Sequence, residues 1–145
     1  MSDYISDKTV NDLMHFLEGS PSCFHAVRSM TEELAGNGFS ELKENRKWQL
    51  RPGGKYYVTR NSSSLIAFAI PEKGIKGFRI IASHSDSPSF KIKENPELVS
   101  EEQYVRLNVE GYGGMLCAPW LDRPLSVAGR IIVKTRSQEA PLSSC

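Results

Sequence analysis

The segment that most constrains this chain is Phe78-Arg79-Ile80-Ile81-Ala82-Ser83-His84-Ser85-Asp86-Ser87-Pro88. Phe78, Ile80, Ile81 and Ala82 are too continuously apolar for a strand with one wet face. The β-branched pair predicts a strand covered on both faces, as in the central sheet of an α/β protein. The serines and Pro88 end the run. Ligands of open α/β sheets gather beyond the carboxyl ends of the strands, so His84 and Asp86 fall where such a fold carries its chemistry. In extended geometry, residues two apart point the same way. A neutral imidazole binds a metal through one nitrogen while a carboxylate accepts the proton of the other, and His-x-Asp supplies both parts locally. Without context, a histidine near an aspartate is more often an ordinary hydrogen-bonded loop pair than a metal site.

Around this segment the pattern is that of a helical first third followed by strands. Val10, Leu13, Met14 and Leu17 fall on one helical face, with Ser6, Asp7 or Thr9 available to cap its start, and Gly19-Ser20-Pro21 breaks it. A second helix is expected over 22–34, burying Phe24, Val27, Met30 and Leu34, with Gly36-Asn37-Gly38 as a left-handed stop. Residues 55–60 and 64–70 flank a short Asn-Ser-Ser turn and should pair as a hairpin. Further strands are expected over 90–93, 104–110 and 125–135, with Glu94-Asn95-Pro96-Glu97 as a turn and 111–119 as a loop. Helices followed by a mixed sheet imply an α/β domain.

Composition restricts the function classes. The 145 residues suffice for one core, and a formal net charge of +1 with no concentrated basic patch argues against a nucleic-acid partner. No membrane span or signal peptide is visible, so no membrane partner is expected and the cytoplasm is the expected location. Cys23, Cys117 and Cys145 are odd in number, widely separated and outside any Cys-x-x-Cys pair, which favours reduced thiols over a structural zinc or redox site.

Several words of this sequence resemble the aspartyl aminopeptidase family of cocatalytic zinc aminopeptidases. They are Ser20-Pro21-Ser22-Cys23-Phe24-His25-Ala26-Val27, Gly54-Lys55-Tyr56-Tyr57-Val58-Thr59-Arg60-Asn61, His84-Ser85-Asp86-Ser87-Pro88, Asn108-Val109-Glu110-Gly111-Tyr112-Gly113-Gly114 and Trp120-Leu121-Asp122-Arg123-Pro124. They occur in the family's order and span about Phe16 to Val133. The resemblance implies an N-terminal part of a zinc-peptidase-like catalytic domain, of helices and mixed sheet, leading into a β-rich inserted dimerisation domain. Residues 1–93 would begin the first and residues 94–145 the second. It maps the zinc-binding histidine onto His84 and the catalytic-site aspartate that orients it onto Asp86. The bridging aspartate, the glutamate pair and the final histidine of a two-zinc centre belong to later segments. The intact protein would remove N-terminal, in some members acidic, residues from peptides, and would form a homo-oligomer. The alternative from a different class is a truncated, catalytically inactive fragment or short form that acts only through self-association.

Other candidates read as structural. Asp122, beside Arg123 and Pro124, fits a turn or interface better than a metal ligand. The glycines after Glu110 lack the lysine and hydroxyl residue of a phosphate loop. Lys91, Lys93 and Arg130 default to solvated charge, and His15 and His25 have no ligand partner nearby in sequence. Ser83 or Ser85 as a nucleophile for His84 is disfavoured: adjacent strand residues face oppositely, and no Gly-x-Ser-x-Gly elbow is present.

Overall fold

The computed structural model describes residues 2–101 and 103–134, with side chains from residue 7 onward. The chain divides into two compact units. One runs to Asp86 and takes up the chain again from Ala128; the other is Ser87–Val127.

The first unit opens with α1 (Ser2–Glu18). No glycine or proline interrupts these residues, so the helix extends upstream of the expected caps, and Ser6, Asp7 and Thr9 lie inside it. The break comes where the sequence places it, with the Gly19 and Ser20 amides returning to the His15 and Leu17 carbonyls. The face formed by Val10, Leu13, Met14 and Leu17 is exposed rather than buried.

Ser22 is the N-cap of α2 (Cys23–Gly36), and its extended backbone starts the helix. Its hydroxyl does not cap; Ser22 Oγ and His25 Nδ1 lie 2.8 Å apart in a hydrogen bond instead. The stop is a Schellman arrangement about Gly38 (φ +81°), in which Phe39 N–H donates to Leu34 O and Gly38 N–H to Ala35 O. Val27 is buried as expected, together with Ala26, while Phe24, Met30 and Leu34 are only half-buried.

A three-stranded mixed sheet completes this unit. β1 (Ser40–Glu41) pairs in parallel with β2 (Lys55–Arg60), and β2 pairs antiparallel with β3 (Ser64–Ala69), in the order β1-β2-β3. The expected hairpin is therefore present. Asn61 and Ser62 both take positive φ, 52° and 55°, the hand that suits a tight hairpin turn. β2 is central and packs against α2, so Tyr56, Tyr57 and Val58 are buried in succession and form the core with Ala26 and Val27. Tyr56 faces its cross-strand partner Phe68, with ring centroids 5.7 Å apart, and Trp48 adds a third ring 6.2 Å from Phe68. The loop before β2 is tied down by Arg60, which donates to Glu44 through Nε at 3.0 Å and a terminal nitrogen at 2.6 Å. These hydrogen bonds hold the Glu44 carboxyl below its usual pKa.

Two expected strands are absent. Residues 78–82 pair with no neighbour, and Phe78, Ile80 and Ile81 are 83%, 83% and 99% exposed. A doubly covered strand needs ladder partners on its edges and packed layers on both faces, and among the described residues neither is supplied. Residues 125–134 likewise form no ladder; the expected strand end at 135 lies outside the described residues.

The second unit is a two-stranded antiparallel ribbon of β4 (Ser89–Ser100) and β5 (Tyr104–Tyr112). The expected turn at 94–97 is instead an irregularity inside one long strand. Pairing passes from Ile92↔Val109 to Glu97↔Leu107, and Asn108 Nδ2 spans the gap by donating to Asn95 O. Pro96 sits where no ladder bond is asked of its missing N–H. The strand thus runs continuously across residue 93. Gly111 and Tyr112 close β5 rather than joining the following loop, in which Gly113 takes φ +75°. Phe90 meets Trp120, in a 3₁₀ turn (Ala118–Trp120), edge to face at 5.5 Å.

Candidate metal site

His84 and Asp86 lie at the end of the 71–86 stretch of the first unit, which belongs to no helix or strand, and the structure brings them together. His84 Nδ1 is 2.7 Å from the main-chain oxygen of Asp86 and 3.3 Å from Asp86 Oδ1. A carbonyl oxygen only accepts, so Nδ1 carries the proton and donates, and the lone pair of the neutral ring is on Nε2. The orienting acceptor expected from the sequence was the carboxylate. The shorter bond goes to the backbone of the same residue, with the carboxylate alongside. The His84 side chain is 77% exposed and that of Asp86 43%, so a polar imidazole with a set tautomer is presented outward from a fixed neighbour.

This geometry fits one position of a metal centre. A metal-bound histidine characteristically donates its second N–H to a carbonyl or carboxylate, which fixes the ring and raises its basicity. Among the described residues no group of three or more His, Cys, Asp or Glu side chains converges to hold an ion. The described residues therefore fit zinc as a single histidine ligand with its orienting partner, and do not fit it as a complete site.

Ser85, between the two, is turned to another task. Its Oγ donates to Ser63 O at 3.0 Å, in the β2–β3 turn, and it is half-buried. A hydroxyl engaged in this way is not poised to attack a carbonyl with His84 as base. The same turn is held from another direction by Arg130, which donates to Asn61 O at 2.9 Å while its guanidinium lies 4.4 Å from the centre of the Phe24 ring. Arg130 is exposed, as expected of a surface charge, but it also makes these two contacts. Sequence reasoning missed both contacts, which join residues 22 and 69 positions apart.

The remaining candidates keep their structural roles. His25 is bonded to Ser22 and lines a groove of about 380 Å³ between α2 and β2, with Phe24, Arg28, Tyr57 and Arg130. Asp122 pairs with Arg123 at 3.1 Å, both exposed, and Lys91 pairs loosely with Glu110 at 3.8 Å. Cys23 is half-buried and Cys117 exposed, both as free thiols; Cys145 lies outside the described residues.

Residues 16–143 match the family described as Aminopeptidase I zinc metalloprotease (M18). A probable M18 family aminopeptidase 2 of Clostridium acetobutylicum is 50% identical over 131 residues, covering 89% of this chain and 30% of the relative. That of Ectopseudomonas mendocina is 43% identical over 127 residues, covering 86% and 29%. Among solved structures, Chaetomium thermophilum mApe1 superposes with a TM-score of 0.82 at 36% identity, over 93% of this chain and 32% of its own. The mApe1 dodecamer of S. cerevisiae gives 0.77 at 31% identity, over 90% and 31%. The chain spans about 30% of the length of the curated relatives it matches.

Proposed function

The chain belongs to the Aminopeptidase I zinc metalloprotease (M18) family, and from that premise we propose that it forms part of a zinc aminopeptidase in which His84 is a metal ligand and Asp86 positions it. The observation that supports this reading is the Nδ1–H···O bond from His84 to Asp86, which sets the imidazole in the tautomer that leaves Nε2 to bind. In the whole enzyme, His84 would share two zinc ions with ligands from the part of the family's length that has no counterpart here. Zinc in such a centre supplies an activated water and a Lewis acid for the scissile carbonyl. This chain would contribute the ring, the proton held on Nδ1, and the Asp86 main-chain carbonyl that accepts it, with the Asp86 carboxylate alongside.

The substrate would be the N-terminal residue of a peptide, with acidic residues the class to test first. The ribbon of β4 and β5 would begin an inserted domain through which copies pair; a relative solved as a dodecamer supports homo-oligomer formation. The cytoplasm is the proposed location. The alternative, an inactive piece acting through self-association, is favoured for the isolated 145 residues by the lack of three converging ligands among the described residues.

Titration of the labelled chain with zinc, followed through the His84 ring resonances, tests the assignment. Selective perturbation of Nε2, with weak affinity in the isolated chain and its loss in His84→Ala, is the expected result. Zinc that perturbs His15 or His25 and leaves His84 untouched would remove the assignment.

A further inference from the structure

We infer that Asn37-Gly38, where α2 ends, is a site of spontaneous covalent modification, closed in the folded chain by the hydrogen bonds that stop the helix. It is the one Asn-Gly pair in the sequence. An asparagine side-chain amide is attacked by the main-chain nitrogen of the residue that follows, and glycine, with no Cβ, hinders that attack least. Asn37 is exposed, and a Cβ placed on Gly38 would meet nothing within 4 Å, so solvent base reaches the peptide link. The Gly38 nitrogen loses its proton to that base and bonds to Asn37 Cγ; the Cγ–Nδ2 bond breaks and ammonia leaves. Water then opens the cyclic imide at either carbonyl. The product is aspartate or, with the main chain rerouted through Cγ, isoaspartate.

Both reacting groups are engaged in the cap. Asn37 Nδ2 donates to Glu33 O at 2.9 Å, which draws the side-chain amide back over the last turn. The nucleophile itself, Gly38 N–H, donates to Ala35 O at 3.1 Å, and Phe39 N–H beside it donates to Leu34 O at 3.0 Å. Attack therefore requires the last turn to open first, as helix ends do more readily than their middles. The change is one-way. Aspartate has no side-chain N–H for Glu33 O and puts a negative charge at the negative end of the helix dipole. Isoaspartate lengthens the main chain and displaces Gly38, on whose φ of +81° the stop depends. Either product leaves the last turn of α2 looser than before.

Peptide mapping by mass spectrometry, with isoaspartate detection, tests this on the 145-residue chain held at mildly alkaline pH, native and in unfolding urea. In urea, Asn37 should convert ahead of every other asparagine. In the native chain its conversion should be slower by about tenfold, the factor for opening one or two ordinary hydrogen bonds. Gly38 N–H is both nucleophile and reporter, so this ratio should track the protection of its amide against hydrogen exchange. Phe39→Ala keeps the Asn-Gly pair but removes the side chain that follows the cap, and should lower that protection and raise native conversion in step. Urea below the unfolding midpoint should do the same to the unsubstituted chain. Equal rates in the native and unfolded chain would overturn the inference, as would native conversion that stays constant while Gly38 protection falls. So would an Asn37 that survives in urea while other asparagines convert.

Discussion

A single methyl group is too much at Gly54. A Cβ there would lie 2.6 Å and 2.7 Å from ring carbons of Tyr56. That ring is pinned by Phe68 and by the Arg51 N–H donated to its hydroxyl at 3.0 Å. Gly54→Ala should therefore destabilise the first unit by about 1–3 kcal/mol through overpacking, read as a lower urea midpoint; an unchanged midpoint would mean the ring is free to swing aside. At Glu44 the prediction concerns pH. Its carboxyl is held low by hydrogen bonds from Arg60, so the pair's contribution is present above the ordinary glutamate pKa and is lost as the pH falls through the lowered one. Glu44→Gln should flatten the acid limb of the stability profile, by a small amount because both groups are exposed and screened. At the proposed metal site, Asp86→Ala removes the carboxylate but leaves the main-chain carbonyl that fixes the tautomer. Its cost in metal affinity should fall at the low end for an orienting residue, about tenfold, against complete loss of this ligand in His84→Ala; equal effects of the two would mean the carboxylate dominates. The pairing of His84 with Asp86 was legible in the sequence because both lie within three residues and their contact is local. Ser85 and Arg130 were not, because the carbonyls they reach are set by the folding of a distant turn.

At the scale of elements, legibility followed how much of each element's support is local. α2 carries its own start and stop in Ser22 and Gly38, and the β2–β3 hairpin carries its own turn in Asn61-Ser62-Ser63, so each formed within a residue or two of expectation. β1 was missed because two residues, Ser40 and Glu41, hold no strand signal and owe their assignment to β2 alongside. The opposite error at 78–82 has the same origin, since an apolar run specifies burial but cannot supply what buries it. Ile80→Ser with Ile81→Ser should consequently leave the hairpin and α2 intact by chemical shift, while reducing binding of an apolar dye. Unfolding of the hairpin in that variant would show these residues to be core. At 94–97 the Asn-Pro pair was read as a turn, because turn and strand irregularity use the same residue types; only pairing with β5 distinguishes them.

For the whole molecule, the balance of surface is the dominant fact. Among the described residues, five apolar side chains are buried as core, while the apolar face of α1, residues 78–81 and much of the β4–β5 ribbon are exposed. A soluble monomer seldom exposes so many large apolar side chains. Sedimentation of the isolated chain should show concentration-dependent self-association, and a monomer at all concentrations would count against it. The chain spans about 30% of the length of the curated relatives it matches. The shift in β4 has a further consequence. A strand offers itself as a template for amyloid-like stacking only while its polar groups run in even register. The offset at 93–96, with a proline inside it, breaks that register halfway along the ribbon. The apolar run at 78–82 has no such interruption, so fibril growth, if the chain is pushed to it, would nucleate beside His84 and spare the longest strands.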